Sequence, residues 1–166
     1  VTNETDKTKF QINETLNAVE KVNLPVIWFW PNVDLGTDII STNLRIFREK
    51  SKSKNFHFIK NMNPEDFLEL VNFSNIIIGN SSCAIRECSY LGVPAINIGT
   101  RQVDRERGLN VTDVSYSSRL IYKAIIENIN KKKRKSNLYG DGNAGKKIAD
   151  ILSKIKVSPI KKFIKL

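Results

Sequence analysis

The sequence contains few of the residues that build metal centres or disulfide frameworks. Its 166 residues include two cysteines, Cys83 and Cys88, one histidine and one methionine. Because a structural zinc site takes four ligands, this supply is too small, and we predict that both cysteines are packing residues. His57 falls inside an apolar run and is predicted to be a buried side chain without a catalytic role. We therefore expect neither a metal nor a cofactor.

Long apolar runs are also missing, since none approaches the roughly 18 residues that a bilayer-spanning helix needs. We therefore expect no membrane contact. There is no Walker loop and no Ser/His/Asp arrangement, which argues against nucleotide hydrolysis and serine chemistry. The low cysteine count and the absence of a secretory signal favour a cytoplasmic location. The chain starts at Val1 rather than at a methionine, and we expect it to be a fragment of a longer protein.

Positive charge is abundant but unevenly placed. The formal net charge is +10, and lysine and arginine concentrate at 131–135, 146–147 and 154–165. These segments lie apart from the loops that are predicted to bind a ligand. A solvated basic face explains the pattern, and an anionic polymer is the alternative partner. Nucleic acid is not the expected partner, because no aromatic residues are interleaved with the basic run.

Short apolar segments alternate with segments of helical periodicity along the chain. Predicted strands lie at 26–30, 56–59, 76–78, 94–98 and 110–114, and predicted helices at 5–22, 38–49, 64–72, 84–91, 119–130 and 144–155. The first strand, Val26 to Trp30, is continuously apolar, which predicts burial on both faces. Parallel strands need crossover helices that cover the sheet. The pattern therefore predicts an α/β fold with a Rossmann-like doubly wound parallel sheet.

In such a sheet, ligands bind in the loops that follow the strands. Gly79-Asn80-Ser81-Ser82 follows a predicted strand and precedes a helix, so it can offer hydroxyls and amides to an anion. An N-terminal helix cap without a ligand is the alternative. Arg101 follows the next strand, and its planar donor fork suits a diphosphate. Glu87 could accept hydrogen bonds from a ribose diol, or it could pair with a neighbour such as Arg86.

The run Gly79-Asn80-Ser81-Ser82-Cys83-Ala84-Ile85-Arg86-Glu87, with Leu91 to Gln102 and Arg105 to Val111, closely resembles the C-terminal domain of UDP-N-acetylglucosamine 2-epimerases, particularly the hydrolysing type. Pro31 to Gly36 and Tyr139 to Ala144 are similar to that family as well. The resemblance covers nearly all of residues 1–155, so we expect a UDP-binding domain at 1–155 and a basic tail at 156–166.

The resemblance implies the C-terminal half of a GT-B-like two-domain enzyme with UDP in the cleft. It implies that Ser81 and Ser82 hold the diphosphate, with Glu87 on the ribose hydroxyls and Arg101 on the phosphates of the leaving group. Asn32 would contact the nucleotide, and uracil would lie near Met62. The family's proton-transfer residues lie outside this chain, so the resemblance implies UDP binding without turnover. It also implies a homo-oligomer as the full-length protein.

Two other functions remain open from the sequence. A UDP-sugar-dependent GT-B glycosyltransferase would use the same nucleotide cradle, although the loop from Arg101 to Gly108 favours the epimerase. A basic module that binds polyanions is the more remote alternative, suggested by the net charge alone.

Overall fold

The computed structural model of the chain describes residues 5–33, 36–51 and 53–156. Within these residues, strands and helices alternate from a short 3-10 helix at Thr5–Lys7 to the last helix. The strands are β1 Val26–Phe29, β2 Phe56–Ile59, β3 Ile77–Gly79, β4 Ala95–Ile98 and β5 Val111–Val114. The helices are α1 Thr8–Val22, α2 Thr37–Lys50, α3 Pro64–Phe73, α4 Glu87–Leu91, α5 Ser118–Asn128 and α6 Ala144–Leu152.

The strands pair in parallel, as the alternation of strands and helices predicts. Hydrogen bonds join β1 to β2 in one sheet, and β3, β4 and β5 in that order in a second sheet. In the second sheet Ile78 is opposite Ile96, and Ile96 is opposite Thr112. The α/β class with parallel strands is therefore confirmed, with the described strands divided between two sheets.

Helices cover both faces of the β3-β4-β5 sheet, which makes it doubly wound. On one face, Ile96 and Ile98 of β4 pack in a buried cluster with Val19 of α1 and with Ile121 and Ile125 of α5. On the other face, Ala95 packs in a second cluster with residues of α3 and α4 and of the loop between β3 and α4. The alternation of side chains along β4 sends Ala95 and Ile96 to opposite faces.

Local signals define α3 as the sequence predicts. The Asn63 side chain accepts a hydrogen bond from the backbone N–H of Asp66 at 2.9 Å and so caps the helix. Pro64 occupies the first helical turn, where its missing N–H costs nothing, and Glu65 and Asp66 place negative charge at the positive end of the helix dipole. These four consecutive residues fix the start of the helix by themselves.

Two predictions about burial in β1 and β2 are wrong. Ile27 is 43% exposed, so the first strand is not buried on both faces. His57 is directly opposite Ile27 in the register and is also exposed. The reason is side-chain alternation, because Phe56 and Phe58 point to the face that carries Trp28, whose ring centroid lies 6.4 Å from that of Phe56. His57 therefore points away from the core.

Most element boundaries differ from the sequence prediction by one to three residues, as three examples show. The segment 84–91 is divided into a 3-10 helix at Ser82–Ala84 and the five-residue helix α4, with a turn between them. The strand predicted at 76–78 lies at Ile77–Gly79. Helix α6 ends at Leu152 rather than Ile155, and it has no buried residue. Of the predicted basic tail, residues 157–166 lie outside the described part of the chain.

The basic run at 131–135 belongs to a loop that packs against the body of the domain. The backbone N–H of Arg134 donates to the Gly92 carbonyl at 3.0 Å, and that of Ser136 donates to the Ser89 carbonyl at 2.9 Å. The Lys133 ammonium donates to the Asn72 carbonyl. The two backbone bonds fix the loop against the carboxyl end of α4, and the Lys133 bond joins it to α3.

Candidate functional site

A large cavity lies between the two sheets and runs along the strands to their carboxyl ends. It has a volume of about 1360 Å³ and is lined by residues of both β1 and β3. Pockets that hold drug-sized ligands commonly measure about 300 to 1,000 Å³. A nucleotide with an attached sugar is a ligand of the size that this cavity accommodates.

The cavity brings together four of the six predicted site residues. Asn32 reaches it from the loop after β1, Met62 from the loop after β2, Ser81 from the loop after β3 and Arg101 from the loop after β4. Four successive strand ends thus contribute to one space, as expected for parallel strands. Ser82 and Glu87 do not line the cavity among the described residues.

The cavity is electrostatically suited to an anion. Of the described residues that line it, two carry formal charge, Lys60 and Arg101, and both are cationic. The Arg101 side chain is exposed rather than buried. An exposed guanidinium is accessible to phosphate oxygens of a ligand that enters the cavity.

The loop after β3 has the conformation of a short cap. Gly79 adopts a φ of 145°, a backbone region that residues with a side chain rarely occupy, and a Cβ there would meet no atom within 4 Å. Its conformational freedom, rather than crowding, explains the glycine. The Ser81 side-chain oxygen accepts a hydrogen bond from the Cys83 N–H at 3.3 Å, at the start of the 3-10 helix. Ser81 thus caps this short helix.

Glu87 is the first residue of α4 and carries a buried carboxylate oxygen. Its Oε2 has no hydrogen-bond partner among the described residues. The ion pair with Arg86 that the sequence left open is absent from the salt bridges of the described part of the chain. A buried carboxylate oxygen without a donor carries a desolvation cost, which a ligand hydroxyl could relieve.

Arg107, in the charged loop that follows Arg101, makes contacts within the protein. Its guanidinium Nε contacts Asp113 of β5 at 3.0 Å, and Asn97 of β4 donates to the same carboxylate at 2.6 Å. Burial by itself raises the pKa of Asp113, but the hydrogen bonds from Arg107 and Asn97, with the Arg107 charge, lower it by more. Arg107 also donates to the Arg105 carbonyl. Arg107 thus has a structural role, because it joins this loop to β5.

The two cysteines occupy the position that the sequence predicts for packing residues. Cys83 and Cys88 are free and buried in the apolar cluster on the α3 and α4 face of the sheet. A hydrogen bond to Cys83, together with burial, raises the pKa of the Cys88 thiol. No group of three metal-ligating side chains occurs within the described residues. The described helices also include none with the length and hydropathy of a membrane span.

Two features of the site were missed from the sequence. Gln102, directly after Arg101, is buried and donates from Nε2 to the Asn80 carbonyl at 2.9 Å. Thr37, at the start of α2, lines the cavity and donates to the Asn32 carbonyl at 2.7 Å. Each fixes the backbone of a loop that carries a predicted site residue. The sequence offered one signal for each residue, since Gln102 directly follows Arg101 and Thr37 directly follows the Pro31–Gly36 loop.

A GxGxxG spacing at Gly140 to Gly145 was also overlooked. The dinucleotide fingerprint follows a strand, whereas residues 129–143 in front of α6 contain no strand. Cβ atoms built at Gly140, Gly142 and Gly145 would meet nothing within 4 Å, so no close backbone approach requires these glycines. The spacing is therefore not a dinucleotide site.

Comparison with known proteins identifies relatives over most of the chain. Residues 1–153 match the family model described as UDP-N-acetylglucosamine 2-epimerase. The chain is 32% identical over 156 residues to the UDP-N,N'-diacetylbacillosamine 2-epimerase (hydrolyzing) of Legionella pneumophila, covering 93% of this chain and 41% of that protein.

Solved structures show the same fold. The structure of UDP-GlcNAc 2-epimerase from Methanocaldococcus jannaschii matches with a TM-score of 0.71 and 19% identity, over 92% of this chain and 43% of that one. Its complex with UDP-GlcNAc and UDP matches with a TM-score of 0.68 and 20% identity, over 91% and 41% of the two chains. The chain thus spans about two-fifths of the length of these relatives.

Proposed function

The chain belongs to the UDP-N-acetylglucosamine 2-epimerase family, and on that premise we propose that it is the UDP-binding half of a hydrolysing epimerase. The complete enzyme would convert UDP-N-acetylglucosamine and water to N-acetylmannosamine and UDP, as a step in making sialic-acid-like sugars. The observation that carries the proposal is the single cavity to which Asn32, Met62, Ser81 and Arg101 all contribute. A relative with the same fold is described in complex with UDP-GlcNAc and UDP.

We assign the diphosphate to the end of the cavity where Ser81 and Arg101 lie. The Arg101 cation and a short 3-10 helix cap suit an anion there. The uracil would lie towards Met62, and Asn32 would contact the nucleotide from the loop after β1. Ser82 and Glu87 stand outside the lining, so their roles on the diphosphate and the ribose require the ligand to extend towards α4. The buried, unpartnered Oε2 of Glu87 supports that extension.

In this reaction the C2 proton leaves the sugar, the bond to UDP breaks to give 2-acetamidoglucal, and water then adds on the opposite face. The contribution of this chain is to stabilise negative charge on the departing UDP. Removing one preorganised donor of that kind costs about 3 to 4 kcal/mol in other enzymes. The proton-transfer groups would lie in the remaining length of the protein, so we expect this chain to bind UDP without turning over UDP-N-acetylglucosamine.

Calorimetric titration with UDP tests the proposal, with ADP as the competing nucleotide and a salt concentration of about 0.15 M. We expect saturable binding that favours UDP over ADP and weakens at least about tenfold in Arg101→Ala, a factor equal to about 1.4 kcal/mol. Arg119→Ala is the matched control, because Arg119 is also exposed but lies on α5 and does not line the cavity. Equal affinity of the two variants would contradict the assignment of Arg101.

The salt dependence of the same titration separates this site from nonspecific polyanion binding. Nonspecific binding through many lysines falls by orders of magnitude between about 50 and 200 mM salt. A site with hydrogen bonds and one arginine should weaken only a few-fold over that range. A steep loss, equal for UDP and ADP, would favour the polyanion alternative.

The complete protein would work as a cytoplasmic homo-oligomer without a cofactor. Product analysis of that protein distinguishes the reaction types. Free N-acetylmannosamine supports the hydrolysing epimerase, whereas UDP-N-acetylmannosamine or transfer of sugar to an acceptor would contradict it. Substrate comparison should include UDP-N,N'-diacetylbacillosamine, because the Legionella pneumophila relative is named for that sugar.

A further inference from the structure

Gln102 is a buried polar side chain within an otherwise exposed turn. It is 4% exposed, while its neighbours Arg101, Val103 and Asp104 are exposed. The turn is closed by hydrogen bonds from the Val103 N–H to the Thr100 carbonyl at 3.0 Å and from the Arg105 N–H to the Gln102 carbonyl at 3.3 Å. A buried carboxamide requires partners, because an unpaired amide loses its hydration without compensation. The burial of Gln102 therefore calls for a specific contact.

That contact is with the loop after β3. Gln102 Nε2 donates to the Asn80 carbonyl at 2.9 Å, between residues that are far apart along the chain. Asn80 directly precedes Ser81, and both line the cavity, as does Arg101. Gln102 itself does not line the cavity. Gln102 thus contacts a residue of the cavity wall without lining the cavity, whereas the adjacent Arg101 lines it.

We propose that Gln102 is a positioning residue that holds the Asn80-Ser81 backbone in place beside Arg101 and so preorganises the diphosphate site. This inference rests on the proposed function. The turn at Thr100 to Arg105 then contributes to the anion site in two ways. It carries the Arg101 cation, and it carries the Gln102 amide, which holds the loop Asn80-Ser81-Ser82 (the serine loop). A loop already held in its binding conformation pays less ordering entropy when the ligand arrives. Loss of the Gln102 bond should therefore weaken UDP binding although Gln102 does not touch UDP.

The chain offers a matched control for this test. Asn110 is also a buried carboxamide, 7% exposed, and its Nδ2 donates to the Val93 carbonyl at 2.9 Å. Asn110 and Val93 do not line the cavity. Gln102→Met and Asn110→Leu each remove one side-chain donor to a backbone carbonyl while keeping apolar volume, and Asn110→Leu also removes the acceptor of the Ser89 hydroxyl, which makes it the more severe of the two changes. Gln102→Leu and Asn110→Val form a second pair without added charge, which keeps the comparison available if one variant does not fold.

The first readout is the affinity for UDP, measured on variants whose folding is confirmed by thermal unfolding. Both Gln102→Met and Asn110→Leu should lower the unfolding midpoint, since each leaves a backbone carbonyl without its donor, and the loss should be larger for Asn110→Leu because the Val93 carbonyl is buried. Only Gln102→Met should raise the dissociation constant for UDP, by about tenfold, whereas Asn110→Leu should stay within about twofold of wild type. Equal UDP affinity of the two variants would overturn the inference and leave the proposed function intact.

The second readout needs no ligand. Amide hydrogen exchange at Ser81, Ser82 and Cys83 should accelerate by about tenfold in unliganded Gln102→Met and remain unchanged in Asn110→Leu, because only the first frees the loop. Unchanged exchange in Gln102→Met would overturn the positioning role whatever the affinities show. Failure of the wild-type chain to bind UDP would instead contradict the proposed function, and exchange alone would then decide whether Gln102 holds the loop.

Discussion

Replacing Gly92 with alanine should destabilise the chain more than the same replacement at Gly142. Gly92 ends α4 with a φ of 77°, and Gly142 has a nearly equal φ of 82°. Alanine is strained equally by this left-handed backbone at both positions. A Cβ at Gly92 would lie 2.8 Å from the backbone nitrogens of Arg134 and Lys135, whereas a Cβ at Gly142 would meet nothing within 4 Å. The pair therefore isolates the contact between α4 and the basic loop.

The magnitude follows from two separate costs. The left-handed conformation costs a residue with a side chain about 1 to 2 kcal/mol. Overpacking adds about 1 to 3 kcal/mol, and here the clash is with backbone that is also hydrogen-bonded to the Gly92 carbonyl. We expect a loss of roughly 3 kcal/mol for Gly92→Ala and roughly 1 kcal/mol for Gly142→Ala. For a domain of this size, the difference of about 2 kcal/mol corresponds to roughly 4 to 8 °C in Tm.

Thermal unfolding followed by circular dichroism measures this difference, with urea unfolding as the check that the slope with denaturant is unchanged. The Gly142→Ala variant controls for the backbone strain of alanine at positive φ. If the two variants unfold at the same temperature, the loop at 131–135 does not pack against the end of α4. The reasoning from the Cβ contacts at Gly92 would then be refuted.

Two further predictions concern titratable groups. Asp113 has a pKa below its ordinary value in the folded state, so its bond with Arg107 should stabilise the fold above about pH 4 and lose that effect as pH falls through the lowered pKa. Asp113→Asn should therefore lower the urea midpoint at about pH 7 but not at about pH 2. A difference in urea midpoint between wild type and variant that is equal at both pH values would contradict this. Cys83 and Cys88 are buried, so the native chain should react with a thiol reagent at least about tenfold more slowly than the urea-unfolded chain. Equal rates in the two states would show that the thiols are accessible.

Local features of the chain were readable from the sequence because their causes are local. Asn63 and Pro64 start α3 through contacts within one helical turn. The periodic apolar positions specify the order of strands and helices, because each side chain needs only its own element to reach the correct face. The serine loop and Arg101 could be predicted as candidate ligand-binding residues because each follows a strand, and parallel strands bring their carboxyl ends to the same edge.

Contacts between distant segments were decided only by the tertiary structure. The exposure of His57 depends on which face of β2 meets the rings of β1, and an apolar run alone does not distinguish the two faces. The bond from Gln102 to Asn80 depends on two loops meeting across the sheet. The sequence by itself determined the family, the alternation of elements and the position of the Gly79 to Ser82 loop after a strand, because these depend on neighbouring residues. The separation of Glu87 from the cavity and the hydrogen bond from Gln102 to the Asn80 carbonyl arise from packing between segments that no local pattern specifies.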